Sequence, residues 1–537
     1  MDANYDGIIL GAGHNSLVLQ GYLVRCGLKI LSVDRAAVAG GGLSTVENPR
    51  LPGFFHNHHS FFHRAVTAMP WYRDLELKRH GAVYVEPELN VAFILPDGRS
   101  LEWWVDFDKT IESFAQFSTR DAAVLRRWVD EVRPMRDQLI FPEACSPPLP
   151  PQRRLELLNR TALGRRFLEI AERSPLEFVE QEFENDTVRA GLLFFNGMRE
   201  IDLTAPGFGH SIPALLAGQH KAQMCLGGSA RLAEALVSSI REHGGEVRTG
   251  VTVSSILHRH GRAVGIELGN GERIAAKFVA SGLNPQQTFL ELLDADEVGI
   301  EVRRKAEAYQ YNRIAPLFSL NLALSEPPRY WAAERRPELN QAFMVILGLE
   351  RSSQFHELVA AHDRGEIPPT IMWGTCPTAF DPSQAPAGKH TAFMWEKTPY
   401  ALHGDPLNWD REKDAHGQDM LKLWSPFAPN LEGAVLDSFT RSPLDTERSL
   451  PNMRGGDLLI GSLAHGQTGY NRPFAGAGQY RTPVAGLYLC GGSTHPGGNI
   501  TGLCGYNAAA VVTADLGVSP WWGPPQLEHA WQSLEPA

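Results

Sequence analysis

The chain has 537 residues, of which 43% are hydrophobic and 21% charged, and a formal net charge of −11. That length asks for about two or three hydrophobic cores rather than one, and the acidic balance disfavours a nucleic-acid partner. Six cysteines stand without CxxC spacing, which reads as reduced, buried thiols rather than zinc ligands or a disulfide framework.

The first 35 residues are the most informative. Tyr5 to Leu10 is a short apolar run suited to a buried strand, and Gly11-Ala12-Gly13-His14-Asn15-Ser16 then opens an apolar stretch with helical spacing. Leu28 to Val33 is a second strand-like run that ends on Asp34. Strand, glycine loop, helix, strand and acid in this order form the βαβ dinucleotide-binding pattern. Gly11 permits the tight turn. Gly13 lets backbone amides approach a pyrophosphate at the helix N-terminus, where unpaired N–H groups and the dipole favour an anion. Ser16 stands where the pattern has its third glycine.

Ala39 to Thr45 contains three consecutive glycines, Gly40 to Gly42, which suit a loop passing close to a ligand. Next come His56, His58, His59 and His63, interleaved with Phe54, Phe55, Phe61 and Phe62. A metal site is one reading of four histidines, but no carboxylate stands at ligand spacing. Histidines lining a cofactor or substrate cavity are favoured, and no metal is expected. The runs Val91 to Leu95 and Leu101 to Val105, around Pro96-Asp97-Gly98-Arg99, predict a hairpin.

Ser146 to Pro151 breaks the chain. Arg153 to Phe167 is basic and amphipathic. A peripheral contact with an anionic membrane surface is open for 153–167, against a solvated helix face over a core, which is favoured. Leu226 to His243 begins a further helix. Strand-like runs follow at Val251 to Leu257, Ala263 to Leu268 and Ile274 to Ala280, the last two joined by Gly269-Asn270-Gly271. Residues 291–450 carry no catalytic spacing. Near the end, a strand reaching Cys490 leads into the loop Gly491 to Gly502 and a small-residue helix over Thr501 to Val512, a second anion- or dipole-binding element. A Trp- and Pro-rich tail closes the sequence. No secretory leader is read before the first strand, and no apolar run reaches about 18 residues. The expected location is cytoplasmic, with the membrane surface as the alternative.

The segments GAGHNSLV, AGGGLSTVE followed by PGFFHNHHS, LGGSARLAEAL, and GLYLCGGSTHPGGNITGLCGYNAA together resemble the phytoene-desaturase-like flavoproteins, which include carotenoid desaturases and carotene ketolases. The resemblance implies an α/β fold: a discontinuous Rossmann-like FAD-binding domain with an inserted α+β substrate domain, as in amine oxidases and GDP-dissociation inhibitors. Its parts would be 1–75, 221–290 and 451–537 for FAD, and 76–220 and 291–450 for substrate. It implies FAD as cofactor, with Gly11, Gly13 and Ser16 under the pyrophosphate, Asp34 and Arg35 near the adenosine ribose, and Gly41 and Gly42 near the ribityl chain and flavin. Val253 would meet adenine, and Gly492, Ser493, Asn499, Ile500 and Thr501 the ribityl chain and pyrimidine edge. The family usually has Glu at Asp34 and Gly at Ser16.

The function so implied is an FAD-dependent dehydrogenase or desaturase that moves a hydride from an apolar or alicyclic substrate to flavin N5, with reoxidation by oxygen or a quinone. His58 and His59 are the candidate bases for the accompanying proton. Phe54, Phe55, Phe61, Phe62, Trp103, Trp104, Phe194 and Phe195 are candidate pocket walls. Two alternatives stay open: a flavin-dependent isomerase or saturase, and a non-catalytic binding protein on the same scaffold. Oligomeric state is not legible in the sequence.

Overall fold

The computed structural model describes residues 4–196, 202–464 and 466–535. Two sheets of seven strands each organise it. In the first, β1 (Tyr5–Leu10) lies between β2 (Ile30–Val33) and the strand Arg273–Ser281, parallel to both. Glu246–Arg248 adds beyond β2, and Leu487–Leu489 pairs in parallel with Arg273–Ser281. Arg262–Leu268 and Val253–Arg259 continue the sheet as an antiparallel meander. Sequentially distant segments thus share one sheet. Gly7 fits β1 to its neighbour: a Cβ there would stand 2.1 Å from the ring of Phe278.

Helix α1 (His14–Arg25) packs on this sheet beside the helix Leu503–Leu516. The two backbones approach closely because residue 505 is glycine; a Cβ there would fall 1.9 Å from the Asn15 carbonyl oxygen. The departure at Ser16 is resolved the same way. Its hydroxyl occupies the space that a side chain at Gly282 would need, 2.1 Å from the Cβ such a residue would carry. The smallness the pattern demands at position 16 is supplied by its neighbour.

The second sheet runs in the order Val435–Arg441, Leu317–Leu324, His390–Lys397, Met372–Thr375, Met344–Leu347, Leu89–Ile94, Ser100–Trp104. Alternation along its strands separates two faces. Leu320, Leu322, Met394, Trp409 and Trp424 form one core, under the helix Trp409–Trp424. Phe93, Trp103, Trp373, Phe393 and Trp395 belong to another, which is capped by helices of the segment 107–216 and includes Phe61 and Phe62. The hairpin read around Pro96 to Arg99 is the Leu89–Ile94/Ser100–Trp104 pair.

The basic stretch 153–167 is not one helix. It divides into Pro151–Asn159 and Ala162–Ala171, with Thr161 accepting a bond from the Gly164 N–H as the cap of the second. Three of its arginines face protein carboxylates: Arg153 pairs with Glu156 and Glu528, Arg154 with Glu143, and Arg166 with Glu131 and Glu169. No helix among the described residues is long and apolar enough to cross a membrane. The tail packs back on the body. Trp521 stacks on Tyr22 and donates to its carbonyl, while Trp531, 1% exposed, donates to the Gln138 carbonyl.

Candidate functional site: a cavity between the two sheets

At the carboxyl ends of the parallel strands, where open α/β sheets bind ligands, a cavity of about 380 Å³ faces the second sheet. Gly11, Gly13, Ser16, Asp34, Arg35, Gly41, Gly42, Val253, Gly492, Asn499, Ile500 and His59 all line it. The candidates His58, Ser493 and Thr501 do not. The Thr501 carbonyl accepts the Trp71 indole N–H at 2.6 Å, behind the wall. His58 turns toward Phe439, 5.9 Å between ring centres. Of the candidate pocket walls, Phe61 and Phe62 reach the cavity; the side chain of Phe195 lies outside the described residues.

The walls have the features of a dinucleotide cradle. Gly11 takes φ +85°, which glycine adopts without strain, and a Cβ at Gly13 would meet nothing within 4 Å, because it would project into the cavity. Asp34 is held by two backbone donors, the N–H of Ala12 at 2.7 Å and of Ala36 at 2.8 Å. Each carboxylate oxygen keeps a further lone pair for a hydroxyl. Buried beside the cavity, Asn15 Oδ1 and Ser493 Oγ have no partner among the described residues. An orphaned buried polar atom costs about 1–3 kcal/mol, so a polar ligand that satisfies these atoms would be favoured. The residues present fit FAD.

Several residues had no signal in the sequence. His14 Nε2 donates to the Asn499 carbonyl at 2.9 Å, tying the first glycine loop to the last. Burial holds its pKa down at about 4, so the ring is neutral at physiological pH. Trp395 and Lys397 enter from the second sheet, and Asn452, Met453 and Ile460 from a loop. Lys397 is 3% exposed and donates to the Ala315 carbonyl at 2.8 Å. Arg472, with a fully buried side chain, donates to six carbonyls among the described residues: Nη1 to Ser462 and Gln467, Nη2 to Ile460, Gly461 and Gly492, and Nε to Thr494. It clasps the loops around residues 460 and 492, both of which reach the cavity.

The four clustered histidines do different work. Burial depresses the pKa of all four. His56 is lowered to about 4. His59, with Arg441 as a second cause, falls to about 3, and His58, with Arg441 and its histidine neighbours, to about 2. His63 bonds Tyr84 and is lowered to about 3. Neutral imidazoles with pKa values this low are weak proton acceptors near pH 7. No group of three His, Cys, Asp or Glu side chains among the described residues is placed to hold a metal ion.

A parallel-sheet glycine cradle facing a second, aromatic-lined sheet is the arrangement of an FAD-binding protein. The chain belongs to the flavin-containing amine oxidoreductase family, whose pattern it matches over residues 73–513. It is 30% identical over 545 residues to a component of the limonene dehydrogenase of Castellaniella defragrans, covering 97% of this chain and 96% of that protein. It is 24% identical to prolycopene isomerase 1 of an Oncidium hybrid cultivar, covering 96% of this chain and 84% of that protein. The crystal structure of an oxidoreductase from Methanosarcina mazei superposes with a TM-score of 0.60 at 15% identity, covering 95% of this chain and 99% of that one, and so shares the fold.

Proposed function

We propose that this flavoprotein is a dehydrogenase or desaturase of an apolar, alicyclic substrate, within the phytoene-desaturase-like branch of its family. The observation that carries the reading is the change of character along one cavity, from a glycine cradle at Gly11 and Gly13 to an aromatic end at Phe61, Phe62 and Trp395. The limonene dehydrogenase relative supports an alicyclic substrate.

FAD, when bound, supplies the hydride acceptor, with oxygen or a quinone as the final oxidant. The chain's own residues bind, orient and keep water out. Gly11 and Gly13 would bring backbone and the α1 N-terminus to the pyrophosphate, with Ser16 behind. Asp34, with Arg35 beside it, would accept from ribose hydroxyls. Gly41, Gly42, Gly492, Asn499 and Ile500 would border the ribityl chain and ring, with Ser493 and Thr501 supporting that loop, and Val253 would meet the adenine. Lys397 brings positive charge to the aromatic end, where it favours negative charge that develops on reduction. His59 is the candidate base on the cavity wall; the low pKa makes positioning its better-supported role. His58, which does not line the cavity, is set behind it.

Anaerobic mixing of the FAD-loaded protein with limonene tests the reading. Loss of the flavin absorbance near about 450 nm with an oxidised product is expected. The isomerase relative supports a second reading, in which product forms without loss of colour. Neither bleaching nor product with limonene or related cyclic terpenes would overturn the substrate class.

A further inference from the structure

Phe62 stands between two cavities. It lines both the cofactor cavity and a smaller cavity of about 60 Å³. Apolar side chains that include Val91, Trp103, Leu215, Leu216 and Met344 line the smaller one, together with the polar Arg64 and Asn90. Its rim carries His220 and Lys221. The rim reaches solvent, since the His220 side chain is 40% exposed. The rim groups are held by protein: Lys221 Nζ donates to the carbonyls of Leu216 at 2.9 Å and Gly218 at 2.7 Å, and His220 contacts Glu86. An apolar solute would therefore meet polar groups at His220 and Lys221 that are already held by the protein, beside a largely apolar lining.

Phe62 itself is held by apolar packing. It packs against Phe61, Phe343 and Trp395, with centre-to-centre distances of 5.1, 5.1 and 5.7 Å. Such contacts are individually weak and make no hydrogen bond that a side-chain rotation would have to break. Phe62 is the lining residue that the two cavities have in common.

We propose that the smaller cavity is the entry chamber for the substrate, and that Phe62 is the specificity-determining residue that sets how large an apolar molecule passes from it to the flavin. The class of molecule is a compact hydrocarbon with at most one polar group, which His220 and Lys221 would meet. The proposal deepens the dehydrogenase reading and rests on it for the choice of limonene as probe.

The test compares FAD-loaded wild type, Phe62→Ala and Leu215→Trp. Leu215 lines only the smaller cavity, so the larger side chain plugs the chamber without touching the cradle. FAD affinity, read by flavin fluorescence, is expected to be unchanged in Leu215→Trp, which shows that the fold survives. The second-order rate of anaerobic bleaching by limonene should fall at least tenfold in Leu215→Trp, and Phe62→Ala should admit a bulkier bicyclic terpene that wild type excludes. A wild-type bleaching rate in Leu215→Trp overturns the entry chamber. If limonene leaves wild type unbleached, the substrate reading fails while the route is still decided. Dithionite-reduced protein is then mixed with oxygen, which takes two electrons and two protons from the reduced flavin to give hydrogen peroxide. Oxygen is itself a small apolar solute, so slower reoxidation in Leu215→Trp supports the route and an unchanged rate overturns it.

Discussion

Replacing His56 by phenylalanine is expected to make the protein more resistant to acid. His56 sits on the short strand Phe55–Asn57, 3% exposed, with its ring edge-on to Phe439 at 4.9 Å. Its Nε2 is buried with no partner among the described residues. Burial lowers its pKa from 6.5 to about 4, against a smaller opposing effect of Asp437. The unfolded chain therefore binds a proton that the folded chain refuses throughout that interval. The stability that the neutral ring carries is complete above pH 6.5 and is lost as pH falls toward 4. At pH 5 the loss is about 2 kcal/mol, from 1.36 kcal/mol per pKa unit of difference. Phenylalanine has a similar shape, no orphaned nitrogen and no proton to bind. The His56→Phe protein should match wild type within about 1 kcal/mol at pH 7.5. At pH 5 it should be more stable than wild type by about 2 kcal/mol beyond that offset. Urea denaturation followed by tryptophan fluorescence at the two pH values measures the difference. A stability gap that does not change between pH 7.5 and 5 would refute the argument, because it would mean that His56 titrates alike in both states.

Three further outcomes follow from the geometry. Gly13→Val directs a branched side chain into the cavity, so FAD affinity should fall roughly a hundredfold, about 2.7 kcal/mol, with the circular dichroism unchanged; flavin retained on gel filtration would contradict it. Arg472→Met strands carbonyls that now share one guanidinium, and at about 1–3 kcal/mol for each group left unpaired it should lower the melting temperature and release FAD, with Arg472→Lys recovering part of both. Trp531→Ala opens a buried site under the tail and should cost about 3–5 kcal/mol in denaturant unfolding; a cost below 1 kcal/mol would show that the tail is only loosely attached.

The glycine cradle was legible in the sequence because its chemistry is local. Turn, helix start and acid occur within one short stretch, and the loop at 491–502 announces itself by its glycines in the same way. The hairpins around Pro96 to Arg99 and at Gly269 to Gly271 were readable for the same reason, since turn residues sit at fixed offsets from apolar runs. Trp395 and Lys397 were not readable. They alternate along an ordinary buried strand, and only the packing of that sheet against a distant glycine loop brings them to the cavity. Arg472 likewise has no sequence signature, because backbone carbonyls, its partners, are present at every position. The basic stretch at 153–167 shows the converse. Its pattern was plain, but carboxylates that meet it come from remote segments, at 131, 143 and 528, as well as from Glu156 and Glu169 on its own two helices. Ser16 departs from the glycine pattern harmlessly because Gly282, remote in sequence, yields the space.

The order of strands in the first sheet sets a timetable for synthesis. Arg273–Ser281 leaves the ribosome with β1 to pair on one side, but its other parallel neighbour, Leu487–Leu489, is about two hundred residues away. At ~5–20 residues per second that interval is roughly ten to forty seconds. Through it the stretch Val279 to Ser281 stands open beyond the part that Arg262–Leu268 covers, and an open edge is the kind of surface on which unfinished chains pair wrongly with one another. Growth conditions that slow translation lengthen this window, and dense expression multiplies the number of chains passing through it at once. The yield of folded protein should therefore respond to the rate of synthesis more than to its total amount.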